Sequence, residues 1–156
     1  ASAQSTQDRQ AGFEETVQAA IDDGKDFTLI ESQDADNDQS KAADIMENLI
    51  TQYGDDLSYI FVVGDPTGYG ALSSIQSKGA NTKIVGFDAG ETALDYIADP
   101  EVGKIWEAEV AQDPEGIGSG IVDQIVEYYK NGSVKEQKNL LAPSLVTKDN
   151  VADYQK

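Results

Sequence analysis

Short apolar runs alternate with helical patterns along the middle of this chain, and this alternation limits the possible folds most strongly. Residues 59–63 and 83–87 form runs of the kind that a parallel sheet buries on both faces. Between them, residues 65–78 begin with Asp-Pro and are followed by Gly79, as expected for a helix with an N-cap and a C-terminal stop. A strand, a helix and a strand in this order predict a right-handed crossover within a parallel sheet.

The same alternation continues on both sides of this unit. Apolar runs predict further strands at 27–31 and 105–111, and extended chain is predicted around Pro143. Apolar residues at helical spacing predict four more helices, at residues 8–23, 38–53, 92–97 and 116–129. The chain is therefore predicted to be an α/β protein, with a doubly wound parallel sheet in a three-layer α/β/α lobe.

The composition excludes several classes of function. The chain has no Cys and no His, which rules out disulfides, thiol nucleophiles, Ser-His-Asp triads and Cys/His zinc sites. Its formal net charge of -18 would repel phosphate backbones, so we expect no nucleic-acid partner. We also expect no cofactor and no bound metal.

One acidic segment resembles the start of a calcium-binding loop. It carries three aspartates at alternate positions, namely Asp34, Asp36 and Asp38. The rest of the loop pattern fails, because Gln39 stands in place of the glycine and Ile45 in place of the final glutamate. Helix capping by Asn37 or Asp38 explains the segment better.

Polar residues follow the predicted strands at the edge where doubly wound sheets bind ligands. Asp65 follows the strand at 59–63, Asp88 follows the next strand, and Gln112 follows the strand at 105–111. From its position alone, Asp88 either caps the next turn or accepts hydrogen bonds from ligand hydroxyls. Gln112 likewise serves either a site or a turn, and Trp106 either packs in the core or stacks on a ligand.

An ordered set of short segments resembles one protein family. The resemblance is to the C-terminal part of the type I periplasmic sugar-binding proteins of bacteria, of the ribose-binding kind, and it lies in residues 9–13, 59–71, 85–88, 110–114 and 146–151. It implies two lobes joined by three hinge strands, with a sugar or a related polyhydroxylated molecule held in the cleft between them. It also implies delivery of that ligand to a membrane ABC permease.

The resemblance implies roles for three of the strand-end residues. Asp88 matches an acceptor for sugar hydroxyls, and Gln112 matches a binding residue beside a hinge. Asp65 matches an aspartate that the family also carries at this position.

Three other candidate ligand-binding residues depart from the family's pattern. Gln7 falls where ribose-binding members place an Arg, and Gly64 falls where they place an Asn. Asn37 lies close to a position that often carries an aromatic residue. These departures favour a ligand that is larger than ribose or chemically different from it.

The resemblance also divides the chain. Residues 1–112 are expected to form the C-terminal ligand-binding lobe, without its first strand and without the N-terminal lobe. Residues 113–143 are expected to form a hinge and a helix that packs on the N-terminal lobe, and residues 144–156 return to the first lobe. We expect the apolar stripe of the helix at 116–129 either to pack on another lobe or a second chain, or to project with few contacts.

The implied function is that of the solute-binding component of an ABC importer, not of an enzyme. Its expected location is periplasmic or extracellular, with a lipid anchor as one option. The alternative is the effector-binding lobe of a sugar-responsive transcriptional repressor, although the charge argues against DNA binding. An enzyme would need paired carboxylates in the cleft, and Asp65 and Asp88 are the obvious pair.

Overall fold

The computed structural model describes residues 3–134 and 141–155, and within them four strands form one sheet. In their order across the sheet, the strands are β1 (Tyr59–Phe61), β2 (Lys83–Asp88), β3 (Trp106–Ala111) and β4 (Ser144–Thr147). Strands β1, β2 and β3 run parallel to one another, whereas β4 pairs antiparallel with β3. The predicted α/β fold with a mainly parallel sheet is confirmed, and β4 adds an antiparallel edge.

Helices flank and connect these strands. In the described residues they are α1 (Gln4–Asp22), α2 (Gln39–Tyr53), α3 (Asp65–Lys78), α4 (Glu91–Ala98) and α5 (Pro114–Asn131). Helix α3 has the predicted bounds, and the other predicted helices are confirmed with ends that differ by a few residues. The Asp38 side chain accepts a hydrogen bond of 2.7 Å from the Lys41 N–H, so Asp38 caps α2.

The hydrophobic core lies between the sheet and its helices. Its fully buried side chains come from every layer, namely Ile75 of α3, Ile84 of β2, Ile97 of α4, Trp106 of β3 and Val146 of β4. Burying an aliphatic or aromatic side chain of this size contributes about 1.5–3 kcal/mol. The core interpretation of Trp106 is therefore confirmed, and β4 is held to the sheet by packing as well as by its ladder.

The predicted strand at 27–31 is wrong. The structure has no strand there, and Phe27 is 59% exposed, although Ile30 packs at the margin of the core. A strand exists only where a neighbouring strand completes its ladder of hydrogen bonds. Residues 27–31 have no such neighbour in the described part of the chain, so the apolar run remains irregular.

Helix α5 exposes more large apolar side chains than any other described element. None of its residues is buried, and most of its apolar side chains are 43–85% exposed: Ile117, Ile121, Val122, Ile125, Val126, Tyr128 and Tyr129. The apolar face of α5 therefore does not pack on the sheet that the structure describes. The division of the chain at residues 112 and 143 stays a prediction.

Candidate functional site

The carboxyl ends of β2 and β3 bring Asp88 and Gln112 into contact. The Asp88 Oδ1 atom accepts a hydrogen bond of 2.7 Å from Gln112 Nε2. It also accepts one of 2.9 Å from Arg9 Nη1, while the Asp88 side chain stays 36% exposed. Asp88 is thus a carboxylate that is oriented by two donors and still accessible.

Arg9 is the member of this cluster that the sequence did not reveal as a site residue. Besides Asp88, its Nη1 contacts the Val63 carbonyl oxygen at 2.7 Å, and its guanidinium lies 3.9 Å from the centre of the Phe87 ring. These contacts leave the Arg9 side chain only 16% exposed. A charge-assisted hydrogen bond from a restrained guanidinium orients the Asp88 carboxylate more strongly than a neutral donor would.

Gly64 and Asn37 border the same carboxylate. A Cβ atom placed on Gly64 would lie 3.3 Å from Asp88 Oδ2 and 3.3 Å from Asn37 Oδ1. Asn37 has a φ of 56°, in the left-handed region that Asn tolerates better than most residues. Glycine at position 64 therefore lets Asp88 Oδ2 and the Asn37 amide approach the backbone more closely than any side chain would allow.

Asp65 lies beneath the cluster. It is 7% exposed, and its Oδ2 accepts a hydrogen bond of 2.9 Å from the Gly90 N–H. Burial raises the pKa of Asp65, and this backbone hydrogen bond opposes the rise. In this structure Asp65 supports the turn that follows Asp88.

Glu109 of β3 is a second buried carboxyl group under this turn, and the sequence did not single it out. It is 0% exposed, and it accepts hydrogen bonds from Trp106 Nε1 at 2.7 Å and from the Ala89 N–H at 3.1 Å. Burial raises its pKa to about 8, and the charge of Asp65 adds to the effect. The sequence signal was weak, because β3 carries two glutamates, Glu107 and Glu109, and only Glu109 is buried.

Gln7, the remaining predicted site residue, lies on α1. It is exposed in the first turn of α1, two positions before Arg9, which contacts Asp88.

No helix in the described part of the chain is long and apolar enough to cross a membrane. The described Asp and Glu side chains form no group of three or more arranged to hold a metal ion, and the chain has no His or Cys.

Comparison with known proteins identifies the family to which this geometry belongs. Residues 1–133 match the model of the periplasmic binding protein domain. The chain belongs to the periplasmic binding protein family. Membership implies a periplasmic location. Together with the relatives named ribose import binding protein, it confirms the predicted resemblance to the type I sugar-binding members.

Several relatives of this periplasmic binding protein have names that refer to polyhydroxylated ligands. The ribose import binding protein of Bacillus subtilis is 32% identical over 141 residues, which are 90% of this chain and 42% of that protein. An ABC transporter solute-binding protein from Agrobacterium vitis, bound with α-D-tagatopyranose, superposes with a TM-score of 0.80 and 25% identity over 95% of this chain and 47% of that one. The Caulobacter myo-inositol binding protein superposes with a TM-score of 0.71 and 26% identity over 88% and 46%. This chain spans less than half the length of each of these relatives.

Proposed function

We propose that this chain is the C-terminal lobe of the solute-binding component of an ABC importer, and that it binds a sugar or a related polyhydroxylated molecule. The observation that carries the proposal is the accessible Asp88 carboxylate, held by Arg9 and Gln112 at the carboxyl ends of the strands. In doubly wound sheets this edge is where ligands bind.

The chemistry of the cluster suits hydroxyl groups. A hydroxyl group donates one hydrogen bond and accepts others, so it matches a site that offers both kinds of partner. Asp88 supplies a charged acceptor, and the amides of Gln112 and Asn37 each supply a donor and an acceptor. Ribose, tagatopyranose and myo-inositol, which appear in the names of the three relatives, all present several hydroxyl groups on a small ring.

Three residues bear on which ligand is preferred. Gly64 offers no side chain where ribose-binding members place an Asn, Asn37 offers an amide rather than an aromatic face, and Gln7 offers an amide rather than a guanidinium. Each of these three residues thus removes or exchanges a group that ribose-binding members direct at their ligand. We therefore expect a ligand other than ribose.

The proposed partners follow from the same function. A second, N-terminal lobe of the same protein would close over Asp88, and a membrane ABC permease would receive the ligand. The protein would act by binding and release, without catalysis, in the periplasm or outside the cell and either free or lipid-anchored. The exposed apolar face of α5 is the surface that we expect the second lobe to cover.

A thermal-shift screen of the full-length protein tests the proposal. The ligands would be D-ribose, D-tagatose, L-arabinose, myo-inositol, pentitols, disaccharides and nucleosides. A ligand that binds only the folded state raises the Tm in proportion to the logarithm of its concentration, once that concentration exceeds the Kd. We expect at least one sugar or polyol to do so.

The variant Asp88→Asn then tests the site. Losing the charged acceptor should weaken binding of the best ligand by about 10- to 100-fold. The matched control is Asp44→Asn, which removes one exposed carboxylate from α2 and should change nothing. Equal binding by Asp88→Asn and the wild type would contradict the proposed role of Asp88.

A further inference from the structure

Two buried carboxyl groups hold consecutive amides of the turn that presents Asp88. The Ala89 N–H donates to Glu109 Oε2 at 3.1 Å, and the Gly90 N–H donates to Asp65 Oδ2 at 2.9 Å. We infer that Glu109 and Asp65 are positioning residues, which fix the conformation in which Asp88 meets a ligand. The importance of this turn for ligand binding rests on the proposed function of Asp88. The hydrogen bonds that hold the turn do not depend on that function.

The backbone of the turn needs such support. Asp88 has a φ of 118° and Ala89 a φ of 57°, and both are residues with a side chain in a region that favours glycine. Backbone conformations of this kind are strained and persist only where the surroundings impose them. The hydrogen bonds from the Ala89 and Gly90 amides to fixed, buried carboxyl groups impose the conformation of this turn.

The surroundings of Glu109 are shaped to hold a carboxyl group. A Cβ atom on Gly86 would lie 1.7 Å from Glu109 Oε1, so the glycine provides the space that this oxygen occupies. The Trp106 indole N–H donates to the same oxygen at 2.7 Å, and Trp106 itself is fully buried in the core. Glu109 therefore links the rigid core at Trp106 to the strained turn at Ala89.

Burying this group costs free energy that an apolar residue would not cost, so its hydrogen bonds have to offset the loss of hydration. Removing the acceptor would leave the Ala89 and Trp106 N–H groups buried without a partner. Of the two donors, the Ala89 amide can move more easily, because the Trp106 indole is packed on all sides. Loss of the acceptor should therefore alter the backbone at Ala89, next to Asp88.

The charge state of Glu109 provides a direct signature of this link. The titratable groups that interact with it are Asp65 and Tyr69 of α3 and Asp88 of β2, and Arg9 offsets the charge of Asp88. Tyr96 of α4 packs on Trp106, which donates to Glu109. Burial raises the pKa of Tyr69 to about 12, so Tyr69 stays neutral while Glu109 ionises. Because burial raises the pKa of Glu109 to about 8, its ionisation should change the Ala89 amide in mildly basic solution.

The test follows the amide resonances of the ¹⁵N-labelled full-length protein without any ligand. In the wild type, the Ala89 amide should shift with a midpoint near the pKa of Glu109. In Glu109→Gln this titration should vanish, and hydrogen exchange at Ala89 should accelerate by about fivefold or more, as expected for one weakened hydrogen bond. The matched control is Glu107→Gln, which neutralises a half-exposed carboxylate on the same strand and should keep both the titration and the protection.

Each result is decisive. An Ala89 amide that neither titrates in the wild type nor changes in Glu109→Gln would overturn the inference. If Glu109→Gln does not fold, the titration in the wild type and in Glu107→Gln decides the question. The variant Asp65→Asn tests the second hydrogen bond in the same way, and hydrogen exchange at the Gly90 amide should accelerate in it.

A separate ligand arm distinguishes this inference from the proposed function. With D-tagatose and myo-inositol as probes, Glu109→Gln should weaken whichever probe binds and should remove the change in its Kd across the titration of Glu109. If neither these probes nor the other ligands of the screen raise the Tm of the wild type, the proposed function fails, while the amide results still decide whether Glu109 positions the turn.

Discussion

Gln112 Nε2 donates a hydrogen bond of 2.7 Å to Asp88 Oδ1, and this contact joins the ends of two neighbouring parallel strands. The exposed amide of Gln112 and the half-exposed carboxylate of Asp88 thus form one polar surface at the edge of the sheet. Arg9 reaches the same oxygen from α1, so three elements converge on one carboxylate.

Gln112→Ala should therefore weaken ligand binding without unfolding the protein. The substitution removes one donor from Asp88 and one amide from the ligand's surroundings, and we expect the Kd to rise by about 10- to 100-fold. Because Gln112 is exposed, the Tm of the ligand-free protein should change little. The measurement is titration calorimetry with the best ligand of the screen, with Gln52→Ala on the exposed face of α2 as control. A loss of folding free energy in the ligand-free variant as large as its loss of binding free energy would mean that Gln112 is mainly structural.

The buried carboxyl group of Glu109 should make stability depend on pH. Burial raises its pKa from 4.5 to about 8, so between these values the folded state binds a proton that the unfolded state releases. Stability from this group is therefore complete below the unfolded pKa and is lost as the pH rises through the folded pKa. The Tm of Glu109→Gln relative to the wild type should accordingly be higher at about pH 9 than at about pH 5. Glu107→Gln should show no such difference, and a constant offset for Glu109→Gln at every pH would contradict the raised pKa.

Replacing each of two glycines near the site by alanine should have different effects. A Cβ on Gly68 would lie 2.4 Å from a ring carbon of the buried Trp106, whereas a Cβ on Gly64 would meet only Asn37 and Asp88 at 3.3 Å. Gly68→Ala should destabilise the protein by about 1–3 kcal/mol because the core cannot yield. Gly64→Ala should lower the stability less, since its backbone is extended and its neighbours need to shift by only a few tenths of an ångström, but should weaken ligand binding by displacing Asp88 Oδ2 and the Asn37 amide. Chemical unfolding and calorimetry measure the two effects, and equal destabilisation by both variants would refute the distinction.

The elements that the sequence predicted correctly are those with local signals. The apolar run of β2 and the Asp-Pro start of α3 determine their structures with little help from the rest of the chain. Residues 27–31 carry a similar apolar run, but a strand also needs a partner, and no local pattern reports whether one is present. The same reasoning explains why Asp88 and Gln112 could be placed together, because the ends of parallel strands meet at one edge.

The residues that the sequence did not reveal depend on contacts between distant parts of the chain. Arg9 lies 79 positions from Asp88, and only the packing of α1 on the sheet brings them together. Glu109 looks like a polar residue of a half-exposed strand, and its burial follows from the space at Gly86 and the orientation of Trp106. Asp65 was predicted as a ligand-binding residue, and its burial under Gly90 likewise emerges only from the turn geometry.

The exposed apolar face of α5 yields the last prediction, which tests whether a second lobe covers it. Ile121 and Ile125 are 55% and 50% exposed, and a patch of this kind is unusual on a soluble monomer. Ile121→Asp in the full-length protein would bury a carboxylate against the second lobe, where it has no charged partner in the proposed interface. We therefore expect the Tm to fall and the amides of α5 to lose protection from hydrogen exchange, because an isolated helix of this length is marginal in water. Asp123→Ala, on an exposed position of the same helix, should change neither quantity. Fast exchange along α5 already in the wild type would show that nothing covers this face.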